Sequence, residues 1–499
     1  MTIAVGPHSY LRGNHASKGV VPEKRRGFLS RLMFYGGTNV LFLLILFIID
    51  FANTPTGHDP APYLVLLFAL LSFPMFFIDQ KKGPLMISVM AGPVFFLFFG
   101  ASDFLSYLID LPGRWKAPSA SMLTDAELAI LAGLSFWLIG YVVGVAVFRR
   151  RADKWLITDW RLRELVWFGL ICVGLSLWST WDILLTSGRW EKYVSQGATK
   201  DSLLVLARML ELPGAVLLSH AYLVSKSRIL LVLILSIAAM KVPMGLMLNS
   251  KEIGFFFILI FITTKWLHDG KIPQRWAIIG ISLVIFYVPL SYAYRATLGE
   301  RHLSAAQGIG DFSSLFNKAL TANQKTNDVI SGIRATVGRV DFKSIVELIV
   351  SRVGKDVPYQ DGHTLVELPL VFIPRLIMPD KPHIPVGQLF NRELHLSLNP
   401  DTYISTSFLG ELYWNYSWLG VMLGMFLIGA SLGVIGVISS LQNTLTVTRV
   451  LILASAAYLL VIKSETGIAQ QYALFLRSTV LILVLHFIMR SRRVTQSGV

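Results

Sequence analysis

Residues 408–437 read FLGELYWNYSWLGVMLGMFLIGASLGVIGV, 30 positions whose one charged side chain is Glu411. At 1.5 Å of rise per residue, a helix of this length exceeds the roughly 30 Å of hydrocarbon in a bilayer. Lipid offers no partner to a free N–H or C=O, so an isolated apolar run takes helical form there. The fold class turns on whether this run stands alone.

It does not. Of 499 residues, 54% are hydrophobic and 15% charged, where soluble proteins carry roughly 25% charged residues. Apolar runs recur at 31–50, 61–79, 84–102, 126–148, 164–181, 203–224, 228–248, 253–268, 274–292, 449–462 and 471–489. With 408–437 as the tenth, they make twelve expected spans. The sequence therefore predicts an all-α polytopic membrane protein. Its expected parts are a basic N-terminus (1–30), spans one to nine (31–292), a long loop (293–407), spans ten to twelve (408–489) and a basic tail (490–499). Arg12, Lys18, Lys24, Arg25, Arg26 and Arg31 lead into the first span, and no small-residue cleavage pattern follows it. It reads as an uncleaved anchor.

The formal net charge is +15, and its distribution decides what it means. The excess gathers on the segments that a cytoplasmic N-terminus would leave inside, whereas 293–407 balances 12 Lys/Arg against 11 Asp/Glu. That is the positive-inside asymmetry of a membrane protein. It puts both termini in the cytoplasm and 293–407 outside. FRRRADKW (148–155) becomes a topogenic loop, with no nucleic-acid partner implied. Cys172, the one cysteine, falls inside a span and reads as a small apolar filler.

A loop of about 115 residues without low complexity folds and carries function more often than a short one. Within it, DFSSLFNKAL (311–320) starts on an Asp cap and has helical spacing. VDFKSIVELIVSRV (340–353) sets Phe342, Ile345, Val346, Ile349 and Val353 on one face, as an amphipathic helix on the membrane or on the bundle would. TLVELPLVFI (364–373) is too short to span and reads as interfacial or re-entrant; IPRLIMPDKP (373–382) then breaks it with three prolines.

Five ionisable residues fall within spans: Arg208, Glu211, Lys241, Glu411 and Arg477. Counting along alternating spans puts all five in the outer half, which predicts one polar chamber open to the outside. The simpler alternative is local pairing, Arg208 with Glu211 three residues on. The loop adds Arg295, Arg301, Arg334, Arg339, Arg352, Arg375, Lys381 and Arg392. Such cations suit a phosphate-bearing lipid-anchored substrate, since an arginine fork grips phosphate through two hydrogen bonds and lysine adds a point charge. Arg375 is singled out by the prolines on either side of it.

FIPRLIMPDKP (372–382) followed by STSFLGELYWNYSWLGVMLGMFLIG (405–429) resembles the Wzy-type oligosaccharide repeat-unit polymerases of bacterial surface and exopolysaccharide assembly, O-antigen polymerases among them. That family commonly shows an Ile-Pro-Arg…Pro-x-Lys-Pro stretch and then Gly-Glu-x-Tyr…Asn-aromatic…Gly. Arg375, Pro379, Lys381, Pro382, Gly410, Glu411, Tyr413, Asn415 and Gly420 match it. Met378 stands where the family often has tryptophan, and Ser417 where it often has glycine.

The resemblance implies a metal-independent, GT-C-type glycosyltransferase without cofactor in the bacterial inner membrane. Its substrates would be undecaprenyl-pyrophosphate-linked oligosaccharides, met among membrane lipids, with a chain-length regulator and a flippase as possible partners. One task is to stabilise the leaving pyrophosphate, for which the candidates are Arg375 with Arg352, Arg339, Arg295 and Lys381, and Arg208, Lys241 and Arg477 in the expected chamber. The other is to take a proton from the acceptor hydroxyl, for which His363 in YQDGHTLVE is the best placed and Glu411 the rival. Tyr413, in YWNYSW (413–418), belongs either to a sugar platform or to an interfacial aromatic belt. A flippase of lipid-linked oligosaccharide and an O-antigen-type ligase are the competing readings.

Overall fold

The computed structural model describes residues 28–52, 61–77, 86–109, 120–148, 160–186, 207–248, 250–300, 340–370, 384–400, 402–439 and 446–496, with positions 314, 316–318, 338, 373 and 378. Among the described residues there are helices and no strands, only a single bridge between Val353 and Val357. In chain order the helices are α1 (Phe28–Ala52), α2 (Ala61–Phe77), α3 (Met86–Phe99), α4 (Ala101–Ile109), α5 (Ala120–Phe148), α6 (Leu162–Thr186), α7 (Glu211–Ser225) and α8 (Arg228–Met247). There follow α9 (Lys251–Asp269), α10 (Gln274–Glu300), α11 (Phe342–Arg352), α12 (Val386–Leu394), α13 (Ser407–Ile438), α14 (Val447–Ala456) and α15 (Ile468–Gln496). A π-helical turn, Ala457–Ile462, continues α14.

Every apolar run expected to span is helical where it is described. Among the described residues, six helices are long and apolar enough to cross a membrane: Asp125–Phe148, Leu162–Leu185, Arg228–Met247, Gln274–Ser291, Ser407–Ile438 and Ile468–Ile488. Four shorter apolar stretches, Ser30–Leu46, Ala61–Pro74, Ile87–Phe99 and Val447–Ile462, lie in α1, α2, α3 and α14 with its π turn. This is the pattern of a polytopic membrane protein.

Among the described residues the most extensive helix pairing is between α5 and α13. Each carries glycines four residues apart, Gly140 with Gly144 and Gly429 with Gly433. A Cβ at Gly429 would lie 1.9 Å from the Trp137 carbonyl oxygen, and one at Gly140 would lie 2.1 Å from that of Phe426. The two backbones therefore touch with no room for side chains. In lipid, helices gain little from hiding apolar surface, and close backbone approach is what holds them together.

α11 forms where its sequence predicts, with the Asp341 side chain accepting from Ser344 N at 3.2 Å as an N-cap. Phe342, Ile345, Val346, Ile349 and Val353 are buried, and the helix packs on α5, α13 and α3. It lies on the bundle. Its polar face is buried too: Lys343 meets Glu127 at 2.8 Å and Glu347 at 3.5 Å, touches Asp103, and sits 4.5 Å over the Tyr63 ring. The run at 364–373 is broken where described, into a 3-10 turn His363–Leu365 and one helical turn Glu367–Leu370.

Candidate functional site

Three pieces of chain distant in sequence meet at Glu411. It lies in the first turn of α13, wholly buried. Its Oε1 accepts from Thr364 Oγ1 at 2.8 Å and its Oε2 from the Ile468 N–H at 2.8 Å. The carboxylate thus answers a free N–H at the start of α15, where negative charge is favoured. Asn415, one turn on, donates to Thr364 Oγ1 at 2.7 Å and to the Glu411 carbonyl at 2.8 Å, and accepts from Gly362 N at 2.9 Å. Gln360 N donates to the Trp414 carbonyl at 3.0 Å. The turn 360–364 is thereby pinned along the start of α13, and α15 is pinned to the same carboxylate. Ser407 N and Phe408 N donate to the carbonyls of Glu465 and Ser464, which fastens the other side.

The backbone of α13 breaks just after this joint. Tyr416 has φ −140°, and Ser417 has φ +54° with ψ −142°. That conformation is open to glycine and costs a residue with a Cβ about 1–3 kcal/mol. The break folds the next turn back, so that a Cβ at Gly420 would lie 2.3 Å from the Leu412 carbonyl oxygen. A Cβ at Gly410 would meet Ile349 Cδ1 of α11 at 2.7 Å. Gly410, Glu411, Asn415 and Gly420 therefore each have a steric or hydrogen-bonding reason to be what they are, and Ser417 holds a glycine-like conformation.

Of the residues expected in one chamber, Arg208, Glu211 and Lys241 come together, while Glu411 sits at the joint and Arg477 is exposed. Lys241 is wholly buried against Glu211 at 2.8 Å, with Thr180 Oγ1 at 3.4 Å; Ser176 donates to Glu211 at 3.1 Å. Arg208 stands within electrostatic reach of Glu211 and Glu252. Glu252 accepts from Tyr458 on the π turn at 2.7 Å and from Lys463 at 2.9 Å, and Lys463 also meets Glu465 at 3.4 Å. Although burial pulls the Lys463 ammonium down, Glu252 and Glu465 hold it above its ordinary range. Three cations and three carboxylates thus form one chain of charges through the bundle. Arg477 lies on an exposed face of α15.

Of the other candidates, His363 is exposed beside the buried Thr364. Tyr413 is buried, its ring edge-on to Trp418 at 6.4 Å. Arg352 already holds a carboxylate: its Nε and a terminal nitrogen reach Asp356 Oδ2 at 2.7 and 2.6 Å, while its other terminal nitrogen donates to Leu394 O at 2.9 Å. The hydrogen bond from Arg352 holds the Asp356 carboxyl below its ordinary range. Arg339, Arg375, Lys381 and the side chain of Arg295 lie outside the described residues. Glu367 accepts from the Ile384 N–H. Among the described residues no group of three or more His, Cys, Asp or Glu is arranged to hold a metal ion.

Sequence reasoning missed Thr364, Asn415 as a hub, and the Lys343 cluster. Short polar residues carry no periodic signal, and a charged helix face reads as solvated until its partners are known. Comparison with known families, characterised proteins and solved structures finds no match to this chain.

Proposed function

We propose that the chain is a polysaccharide polymerase of GT-C type. It joins undecaprenyl-pyrophosphate-linked oligosaccharide units at the external face of the bacterial inner membrane, with twelve spans and both termini in the cytoplasm. The observation that carries this reading is at Ser417. It stands where the Wzy-type pattern often has glycine, and its φ of +54° with ψ of −142° is a backbone state that glycine adopts freely.

In this reading the acceptor hydroxyl attacks the anomeric carbon of the growing chain. A carbon–oxygen bond forms there as the bond to the pyrophosphate oxygen breaks, the hydroxyl proton passes to a base, and undecaprenyl pyrophosphate leaves as an anion. His363 is the base, being exposed on a turn pinned to α13. Arg375, helped by Arg339, Arg295 and Lys381, holds the pyrophosphate. Arg352, Arg208 and Lys241, whose charges are answered by Asp356, Glu211 and Glu252, shape the scaffold. Glu411 is the joint.

The test is the length of surface polysaccharide in a deletion strain complemented with wild type, His363→Ala or Arg375→Ala. A polymerase leaves single repeats when lost. Polymer accumulating on carrier lipid would make the protein a ligase, and repeats trapped inside would make it a flippase. Full-length polymer in the deletion strain would end all three readings.

A further inference from the structure

We propose that the turn 359–363 and Tyr416 form a sugar-binding subsite over the joint, taking one ring of the lipid-linked oligosaccharide. The proposal rests on the polymerase reading and deepens it.

Two backbone contacts set the register. Gln360 N reaches Trp414 O and Gly362 N reaches Asn415 Oδ1, so the turn runs beside residues 414–416. Tyr416, leaving the helix at the break, brings its hydroxyl over the turn: a Cβ at Gly362 would lie 2.1 Å from it. The ring nevertheless stays 47% exposed, and Tyr359 stays 37% exposed. Asp361 and His363, between and beside them, are exposed as well. Two partly exposed tyrosines, Tyr416 against the turn and Tyr359 at its start with its hydroxyl beside Gly354, therefore lie along one short turn with a carboxylate and an imidazole.

That combination fits a sugar ring. A pyranose offers an apolar C–H face and an edge of hydroxyls. Tyrosine supplies a flat, amphipathic surface at low entropic cost, and carboxylate and imidazole take the hydroxyls. The backbone supplies a second, independent observation. Asp361 (φ +47°), Gly362 (φ +86°) and Ser417 (φ +54°) all hold left-handed conformations, two of them without glycine's freedom. Strain of this kind persists where the surrounding structure holds it, and it concentrates at ligand sites. Tyrosines of an interfacial belt turn their hydroxyls toward lipid headgroups; that of Tyr416 is turned onto the protein's own turn.

The experiment uses the full-length protein in lipid nanodiscs, with the lipid-linked repeat unit extracted from the deletion strain as substrate. Tyr359→Ala and Tyr416→Leu should each raise the apparent KM for that unit about tenfold, the factor that 1.4 kcal/mol of lost stacking gives, with kcat within about twofold. Tyr416→Trp, which keeps a ring, should restore most of the affinity lost in Tyr416→Leu. Thermal melting checks that each variant is folded. An unchanged KM in folded Tyr359→Ala and Tyr416→Leu, with wild-type protein still making polymer, overturns the subsite and leaves the polymerase reading standing. Wild-type protein that makes no polymer from this extract overturns both.

Discussion

Replacing Glu411 separates a structural carboxylate from a catalytic one. It makes two buried charge-assisted hydrogen bonds, to Thr364 Oγ1 and to the Ile468 N–H, each 2.8 Å long. Such bonds are worth roughly 1.5–3 kcal/mol each. The charge also faces the first turn of α15, worth about 0.5 kcal/mol more. Glu411→Ala gives up all of this and strands a hydroxyl and an N–H in a closed interior, so its cost should be about 3–6 kcal/mol. Glu411→Gln keeps one acceptor oxygen but turns an amide N–H toward the other donor, and should cost about 1.5–3 kcal/mol.

The assay is thermal unfolding of detergent-purified protein, beside limited proteolysis of the 360–370 segment and polymer output at matched protein levels. The structural account expects stability to fall from wild type to glutamine to alanine. It expects cleavage near the 360–364 turn to rise in the same order, and activity to track the folded fraction. A general base would behave otherwise, since its loss costs about 10²–10⁴ in rate with no need for the protein to loosen. Glu411→Gln that melts as wild type and loses activity a hundredfold would refute the structural assignment.

Four further outcomes can be checked on the same preparations. Gly429→Leu, aimed at the Trp137 carbonyl 1.9 Å away, should abolish folded protein, while Gly174→Ala on α6, with nothing within 4 Å of the new Cβ, should change melting little. Lys241→Met should destabilise by up to roughly 3–5 kcal/mol by removing the ion-pair partner of the buried Glu211, and Lys241→Met with Glu211→Leu should recover most of it in the same melting experiment. Burial, with Asp103 and Asp341 adding to it against the pull of Lys343, raises the Glu347 carboxyl to about 7. A raised folded value means that the folded state holds this proton longer than the unfolded chain, so the contribution is full below about pH 4.5 and is lost as pH rises through 7, at most about 3 kcal/mol. Glu347→Gln should flatten that part of a melting profile taken from pH 5 to 8. Ser417→Gly should raise the melting temperature by relieving about 1–2 kcal/mol of backbone strain, and a lowered one would place the strain elsewhere.

The helices were legible because hydropathy is a one-dimensional signal. Each apolar run long enough to be expected as a span is helical where described, and the spacing of Phe342, Ile345, Val346 and Ile349 gave both α11 and its buried face. The α5–α13 contact was also written in the sequence, as Gly140 and Gly144 opposite Gly429 and Gly433, but a hydropathy reading gives glycine almost no weight. The chamber was legible only in part, for a geometric reason: Arg208, Glu211 and Lys241 come together, whereas Glu411 and Arg477 are placed elsewhere. Depth along a span can be counted, yet the direction a side chain faces around its helix depends on neighbours that a single sequence does not name. Lys241 and Glu211 are thirty positions apart and in contact, Glu411 faces α15 and the 362–364 turn, and Arg477 faces away.

The same limit explains why a motif that resembles a catalytic signature resolves into a joint. Gly410, Asn415 and Gly420 are demanded by close approaches of Ile349, Gly362 and Leu412. Such residues would recur in any chain that must fasten a turn to the start of a long helix at this angle. On the proposed function a joint of this kind serves chemistry, because a reacting histidine displaced by about 1 Å loses much of its rate. His363 sits one residue from Thr364, whose hydroxyl bonds both Glu411 and Asn415. Thr364→Ser keeps the hydroxyl and should leave activity near wild type, whereas Thr364→Val keeps the shape and loses both bonds. If the joint serves chemistry, Thr364→Val should lower kcat by more than its loss of folded protein accounts for; a fall matched by the folded fraction alone would make the joint scaffold and nothing more.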